Sequence, residues 1–315
     1  MRVLVVTAVA AEANSVAAGL ALAGYTPLDT EPEAGHAPAA PASPETDPAP
    51  VRAPADPVRV PGAPASPTTE PEAGPAPAAP ASPETDPAPV RAPATPTSSG
   101  VRPAPSRPTS PTPPVRWRGF GGHHVDVLAA GVGPAAAAVG AAAALARAPY
   151  DLVVSAGIGG GFPAHAPLGS LVVASEIVAA DLGAGSADGF IPVTALGFGR
   201  DTLHPHGPLT RAVARALGAL AGPVLTVTTV TGTAERAAEL LARHPSAAAE
   251  AMEGFGVAEA ADRFGVPVLE IRAVSNSVGP RDRSAWRIGA ALAALTEAFG
   301  KFPPVLESWT SHEPV

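Results

Sequence analysis

The sequence predicts a single three-layer α/β domain: a central twisted, mixed sheet with helices on both faces, interrupted by a long proline-rich insert. Three observations carry this. Short apolar runs alternate with helix-period segments along both flanks of the chain, the pattern of a largely parallel sheet covered on both sides. Of the 41 prolines, 27 fall between Pro27 and Pro114, so that stretch differs in kind from the rest. Finally, the polar residues capable of chemistry cluster just after the apolar runs, where ligands collect in such sheets.

In chain order, Val3–Thr7 reads as a buried strand and Ala11–Ala23 as a helix. The segment Arg2 to Ala11 also has the look of a short leader with a small-residue cleavage site; the strand reading is preferred because it keeps Glu12 in the mature protein. Residues 25–114 are assigned to the insert, leaving residues 1–24 and 115–315 as the domain. Within the insert, the 27-residue unit beginning at Glu31 recurs at Glu70, altered only at His36/Pro75 and Asp56/Thr95. Alternating Pro and Ala without an apolar face cannot stack as a solenoid, and disorder of polyproline-II character is expected. After it, Val115–Gly119 and Val125–Ala130 read as strands, Ala135–Ala148 as a helix, and Leu152–Ala156 as a strand ending in the glycine loop Gly157–Gly161. Strands follow at Leu171–Ala180, Val224–Val230, Ala248–Met252 and Val268–Ser275. Helices are expected at Arg211–Leu220, Ala234–Arg243, Val257–Phe264 and Ser284–Phe299.

Composition excludes several classes of function. A formal charge of −8 offers no basic surface for nucleic acid. The absence of cysteine removes disulfides, thiolate catalysis and thiolate metal sites. The eight histidines form no metal-ligand spacing, and no apolar run is long enough to span a bilayer. A cytoplasmic protein without metal or cofactor is the expectation.

Four strand ends bring Glu12, the Gly157–Gly161 loop, Met252-Glu253 and Ser275-Asn276 to one rim. Each has an ordinary reading: Glu12 as a first-turn acid, the glycines as a dinucleotide loop of the wrong spacing, Asn276 as a turn residue. Glu253 is harder to dismiss, since a carboxylate at the end of a buried strand needs a partner or a ligand.

Together these segments resemble the nucleoside phosphorylase and methylthioadenosine nucleosidase superfamily. The resemblance rests on Val5-Val6-Thr7-Ala8-Val9-Ala10-Ala11-Glu12, Ala130-Gly131-Val132-Gly133, Ser155-Ala156-Gly157-Ile158-Gly159-Gly160, Ala251-Met252-Glu253-Gly254 and Arg272-Ala273-Val274-Ser275-Asn276. Within the superfamily, Ala-Met-Glu-Gly-Phe-Gly-Val-Ala-Glu-Ala and Val-Ser-Asn-x-Val-Gly-Pro-Arg-Asp-Arg look like the futalosine hydrolase family. The resemblance implies hydrolysis of the N-glycosidic bond of a purine riboside, with a small-molecule nucleoside as substrate and a homodimer or higher homo-oligomer as the assembly. It implies that Glu12 activates water, Glu253 holds the ribose 2′- and 3′-hydroxyls, and Met252 lies under the sugar. It places Asn276 at the purine N7 and O6, where methylthioadenosine nucleosidases have an aspartic acid. Gly157 would border the substrate, Val230 would stand where a base-stacking phenylalanine is usual, and Trp286 would stand near the 5′ end. The alternatives are a phosphate-dependent phosphorylase and a methylthioadenosine-type nucleosidase; the phosphorylase arginine after the first strand is missing. Arg281 or Arg283 is a candidate for the carboxylate of the substrate's tail.

Overall fold

The computed structural model describes residues 1–28, 113–119 and 122–309. The tandem repeat expected to be disordered lies outside them. The chain begins with β1 (Arg2–Thr7), α1 (Ala10–Leu22), β2 (Thr26–Pro27), β3 (Val115–Arg118), β4 (His124–Ala129) and α2 (Pro134–Leu145). It continues with β5 (Leu152–Gly161), β6 (Leu171–Ala179), the hairpin β7 (Gly183–Ser186) and β8 (Gly189–Pro192), β9 (Thr202–Leu203) and α3 (Gly207–Leu217). Then come β10 (Leu220–Thr226), α4 (Ala234–Arg243), β11 (Ala249–Ala251), α5 (Gly254–Arg263), β12 (Val268–Ser277), α6 (Ile288–Lys301) and α7 (Pro303–Ser308).

The main sheet runs β11-β10-β6-β12-β5-β1-β4-β3-β2. It is mixed, as expected: β1 is parallel to β4 and β5, and β12 to β5, whereas β12 and β6 are antiparallel. One feature exceeds the expectation. β11 also pairs antiparallel with β5, so β5, β12, β6, β10 and β11 close into a ring.

The alternation of β1 shows how the layers form. Leu4 and Val6 pack with Ala137 and Ala141 of α2 and Val257 and Ala261 of α5, while Val3 and Val5 pack with Val16 and Leu20 of α1 and Leu295 and Phe299 of α6. A strand buried on both faces must be apolar at every position, which is why β1 reads as an unbroken run. Removing β1 as a leader would take out a central strand.

Several boundaries differ from the sequence expectation: the strand expected at Val224–Val230 runs Leu220–Thr226, the closing helix begins at Ile288 rather than Ser284, and three further differences bear on the fold. β5 extends five residues beyond Ala156, so Gly157–Gly161 is strand rather than loop. The helix expected through Leu220 stops at Leu217, because Gly218 adopts a left-handed φ of 63° and caps it; Leu220 opens β10 instead. And residues 25–28, assigned to the insert, belong to the fold. Tyr25 is buried, Thr26 and Pro27 pair with Arg118 and Trp117, and the Leu28 N–H donates to the Arg116 carbonyl at 2.9 Å. The chain therefore leaves and re-enters the described fold on neighbouring strands of one hairpin.

Candidate active site

β1 carries the chain to Ala8 and Val9, and α1 starts at once. Glu12, in the first turn, folds back so that Oε2 accepts the N–H groups of Ala8 (3.0 Å) and Val9 (3.3 Å). Oε1 accepts the N–H of Ile158 on β5 at 2.9 Å. Acids are favoured at this end of a helix by its unpaired N–H groups. A carboxylate has about four acceptor positions; three are filled, and the remaining one can take a water proton. Gly157 makes this possible. A Cβ there would fall 2.6 Å from Glu12 Oε1 and 2.7 Å from Arg272 Nη1. Gly157 thus does not line the cavity; it is the gap that leaves room for both charged groups behind its wall.

Arg272, on β12, is 1% exposed and organises the Glu253 end of the site. Nη1 lies 3.3 Å from Glu253 Oε2, Nε donates to Glu270 Oε1 at 2.9 Å, and Nη2 donates to Ser155 Oγ at 2.9 Å. Burial alone would lower the guanidinium's pKa; the charges of Glu270, Glu253 and Glu12 outweigh it and hold it above its ordinary value. Glu270 is fully buried, and that desolvation pushes its carboxyl up despite Arg272. It sits against the first turn of α5, where a Cβ on Gly254 would come within 2.3 Å of both its oxygens. Glu253, between β11 and α5, is held from its other side by the Gly133 N–H at 3.2 Å.

The Asn276 end is built differently. β12 carries a bulge between Val274, opposite Gly159, and Asn276, opposite Gly160. The extra residue is Ser275, and it allows two successive residues to line the cavity, which a regular strand forbids. In a regular strand, with Ser275 paired in register, Asn276 would follow Val274 into the core. The Asn276 amide is oriented: Nδ2 donates to the Ser277 carbonyl at 3.1 Å and Oδ1 lies 2.9 Å from Ser275 Oγ. Each end of the amide keeps one hydrogen-bonding position free.

These parts enclose a cavity of about 250 Å3, lined by Glu12, Met252, Glu253, Asn276, Val230 and Trp286 among others. Six of the seven residues expected from the sequence thus come together; Gly157 alone stands behind the wall. Arg281 and Arg283 lie 5.4 and 5.9 Å from the ring centre of Trp286, at cation–π range. Phe255 is core.

Sequence reasoning assigned no role to two residues. Arg272 stands in the sequence only as part of a motif, although Glu270 and Arg272 share a face of a buried strand and so must pair. Glu250 was passed over inside a short alanine-rich strand. It lines the cavity, is buried, and binds Thr231 twice: Oε1 accepts the Thr231 N–H at 2.9 Å and Oε2 accepts the Thr231 hydroxyl at 2.5 Å. Burial pushes its carboxyl above the ordinary range, and the Thr231 bonds pull it back in part.

Residues 115–302 match the family model described as the phosphorylase superfamily. The chain is 70% identical over 193 residues to futalosine hydrolase of Streptomyces coelicolor, covering 60% of this chain and 82% of that relative. It is 51% identical over 182 residues to futalosine hydrolase of Acidothermus cellulolyticus, covering 55% and 73%. Among solved structures, futalosine hydrolase of Helicobacter pylori strain 26695 superposes with a TM-score of 0.58 at 14% identity, covering 98% of each chain; at that identity the likeness is one of fold. By matched sequence and shared architecture alike, the chain belongs to the phosphorylase superfamily and, within it, to the futalosine hydrolase family.

Proposed function

We propose that this protein hydrolyses the N-glycosidic bond of futalosine, releasing hypoxanthine and dehypoxanthine futalosine. The observation that carries this reading is the chemistry of the cavity wall. Three carboxylates, Glu12, Glu250 and Glu253, line it, and no Lys, Arg or His does so among the described residues. A phosphate dianion would face repulsion there, and Arg272 is already committed to Glu253 and Glu270. Water, by contrast, suits a carboxylate base.

The steps follow from the placement. Glu253, held by Gly133 and Arg272, accepts hydrogen bonds from the 2′- and 3′-hydroxyls and fixes the ribose. Met252 provides an apolar floor for the oxocarbenium-like ring. The bond from C1′ to N9 breaks with its electron pair passing to the base. Water adds to C1′ and gives a proton to Glu12. Asn276 offers an N–H to O6 or N7, and a proton from solvent neutralises the departing hypoxanthine. Arg281 and Arg283, beside Trp286, suit the aryl carboxylate of the 5′ substituent.

Four finer readings accompany this one. The reaction serves menaquinone biosynthesis, the setting implied by the family resemblance. A cytoplasmic setting is in keeping with a chain that has no cysteine. Assembly as a homodimer or larger homo-oligomer is supported by Leu182, Leu196 and Phe198, large apolar residues exposed near the β7–β8 hairpin. The proline-rich segment is a passenger: a chain joined from Leu28 to Pro113 retains the parent turnover.

The test is turnover of futalosine, inosine and methylthioadenosine with and without phosphate. Phosphate-independent release of hypoxanthine from futalosine is expected. Release that requires phosphate would make the protein a phosphorylase.

A further inference from the structure

Glu12 and Glu253 face the sugar, which leaves the third carboxylate on the cavity wall without a task. Its position in the sheet supplies one. Glu250 pairs with Leu225 on one side and Gly160 on the other, and Gly160 pairs with Asn276. Residues opposite one another in a sheet project to the same face. Ala249 and Ala251 point into the core with α5, so Glu250 points the other way. Glu250, Gly160 and Asn276 thus form one row across β11, β5 and β12, and all three line the cavity.

The middle member of the row has no side chain, and one there would crowd its neighbours. A Cβ on Gly160 would fall 3.0 Å from Val278 Cγ2 and 3.2 Å from Asn276 Nδ2. Two strand spacings, about 9.5 Å, separate the backbones of Glu250 and Asn276. The result is a slot floored by bare backbone, with a carboxylate at one end and an amide at the other.

We propose that Glu250 determines which purine this site accepts, receiving the N1–H of a 6-oxopurine whose O6 and N7 lie at Asn276. The inference rests on the futalosine reading and extends it to a specificity residue. A 6-oxopurine presents, in order along one edge, the N7 acceptor, the O6 acceptor and the N1–H donor. The amide answers the first two and the carboxylate the third. Adenine presents a bare lone pair at N1, which a carboxylate repels, so the residue selects against one base as well as for the other. The two Thr231 donors fix Glu250 in place and use two of its about four acceptor positions, leaving the others for the base.

The experiment measures kcat/KM for two ribosides with the same 5′ group, one bearing hypoxanthine and one adenine, in wild type and Glu250→Gln. An amide can turn its N–H toward the adenine N1, so the preference for hypoxanthine should fall by about tenfold to a hundredfold. If both substrates lose activity in equal proportion, Glu250 only holds the Thr231 segment and the proposal is overturned. Affinity of the unmutated protein for hypoxanthine and 1-methylhypoxanthine gives a second test that needs no variant. Loss of binding by more than about tenfold on methylation is expected; equal affinity would place N1 in open solvent and refute the assignment. If wild type does not act on the hypoxanthine riboside at all, the futalosine reading fails, a result distinct from either of these.

Discussion

The sugar end and the base end of the cavity are built on different plans. At the sugar end, side chains from β5, β12 and the β11–α5 junction converge on one guanidinium, Glu12 of α1 is held by three backbone N–H groups, and nearly every charged atom there already has a partner. At the base end, recognition comes from one lateral row of a sheet, with a glycine between two polar residues. The first plan makes stability and chemistry depend on the same contacts. The second leaves the choice of base adjustable without dismantling the fold.

Four measurements break or sharpen that contrast. The largest effect belongs to Glu12→Gln, which removes the base and keeps the shape. Turnover should fall by about a hundredfold to ten-thousandfold, with affinity for a non-hydrolysable analogue little changed. Near-parental kcat would remove Glu12 from the water-activating role.

Next is Arg272→Met. It strands Glu270 and Glu253 as buried carboxylates, at a cost of about 3–5 kcal/mol. That corresponds to a fall in melting temperature of roughly 10 °C, read by thermal denaturation without ligand. A change of only a degree or two would show that the sugar end is not a structural hub, and the contrast would collapse.

Asn276→Asp should be milder and confined to specificity. An acceptor facing O6 costs about 1–3 kcal/mol, so the hypoxanthine-to-adenine ratio of kcat/KM should drop roughly 5- to 150-fold. The melting temperature should move little. An unchanged ratio would place Asn276 away from the base.

The smallest effect is a pH dependence at Glu250. Burial raises this carboxyl above its ordinary value, against the Thr231 bonds; Arg236 acts to lower it and Asp181 to raise it. A raised value means that the folded state favours the proton. The stabilisation from Glu250 is therefore complete below the unfolded value and lost as pH rises through the folded one. Glu250→Gln, neutral throughout, should gain in melting temperature relative to wild type as pH rises from about 4.5. A difference that is flat with pH would mean the carboxyl is not desolvated.

The sugar end was the more legible in sequence. Glu12 and Glu253 follow apolar runs and needed an explanation, and Met252 adjoins one of them. What misled was glycine. Gly157–Gly161 reads as punctuation, yet in β5 these residues mark places where other groups press against the backbone. A Cβ on Gly159 would fall 2.7 Å from the Glu250 carbonyl, and one on Gly161 would fall 2.7 Å from Val274 Cγ1. Those approaches depend on strands distant in sequence, so no local pattern announces them. The closure of β11 onto β5 was hidden for the same reason, and with it the meaning of Glu250. The β7–β8 hairpin went unseen because its glycines and short apolar runs carry no clear alternation. Arg272 was legible and was not used: two opposite charges two residues apart in a buried strand must meet.

The Ser275 bulge has a consequence for how the choice of base can change over generations. Deleting Ser275 would leave Asn276 opposite Gly160 but remove the hydroxyl beside Oδ1 that helps to orient the amide. A freely turning amide offers either a donor or an acceptor to the ring, and so discriminates less. Tolerance for a second base is then one codon's loss away, recorded in the length of the chain. Libraries that only exchange one residue for another hold that length fixed and never sample it.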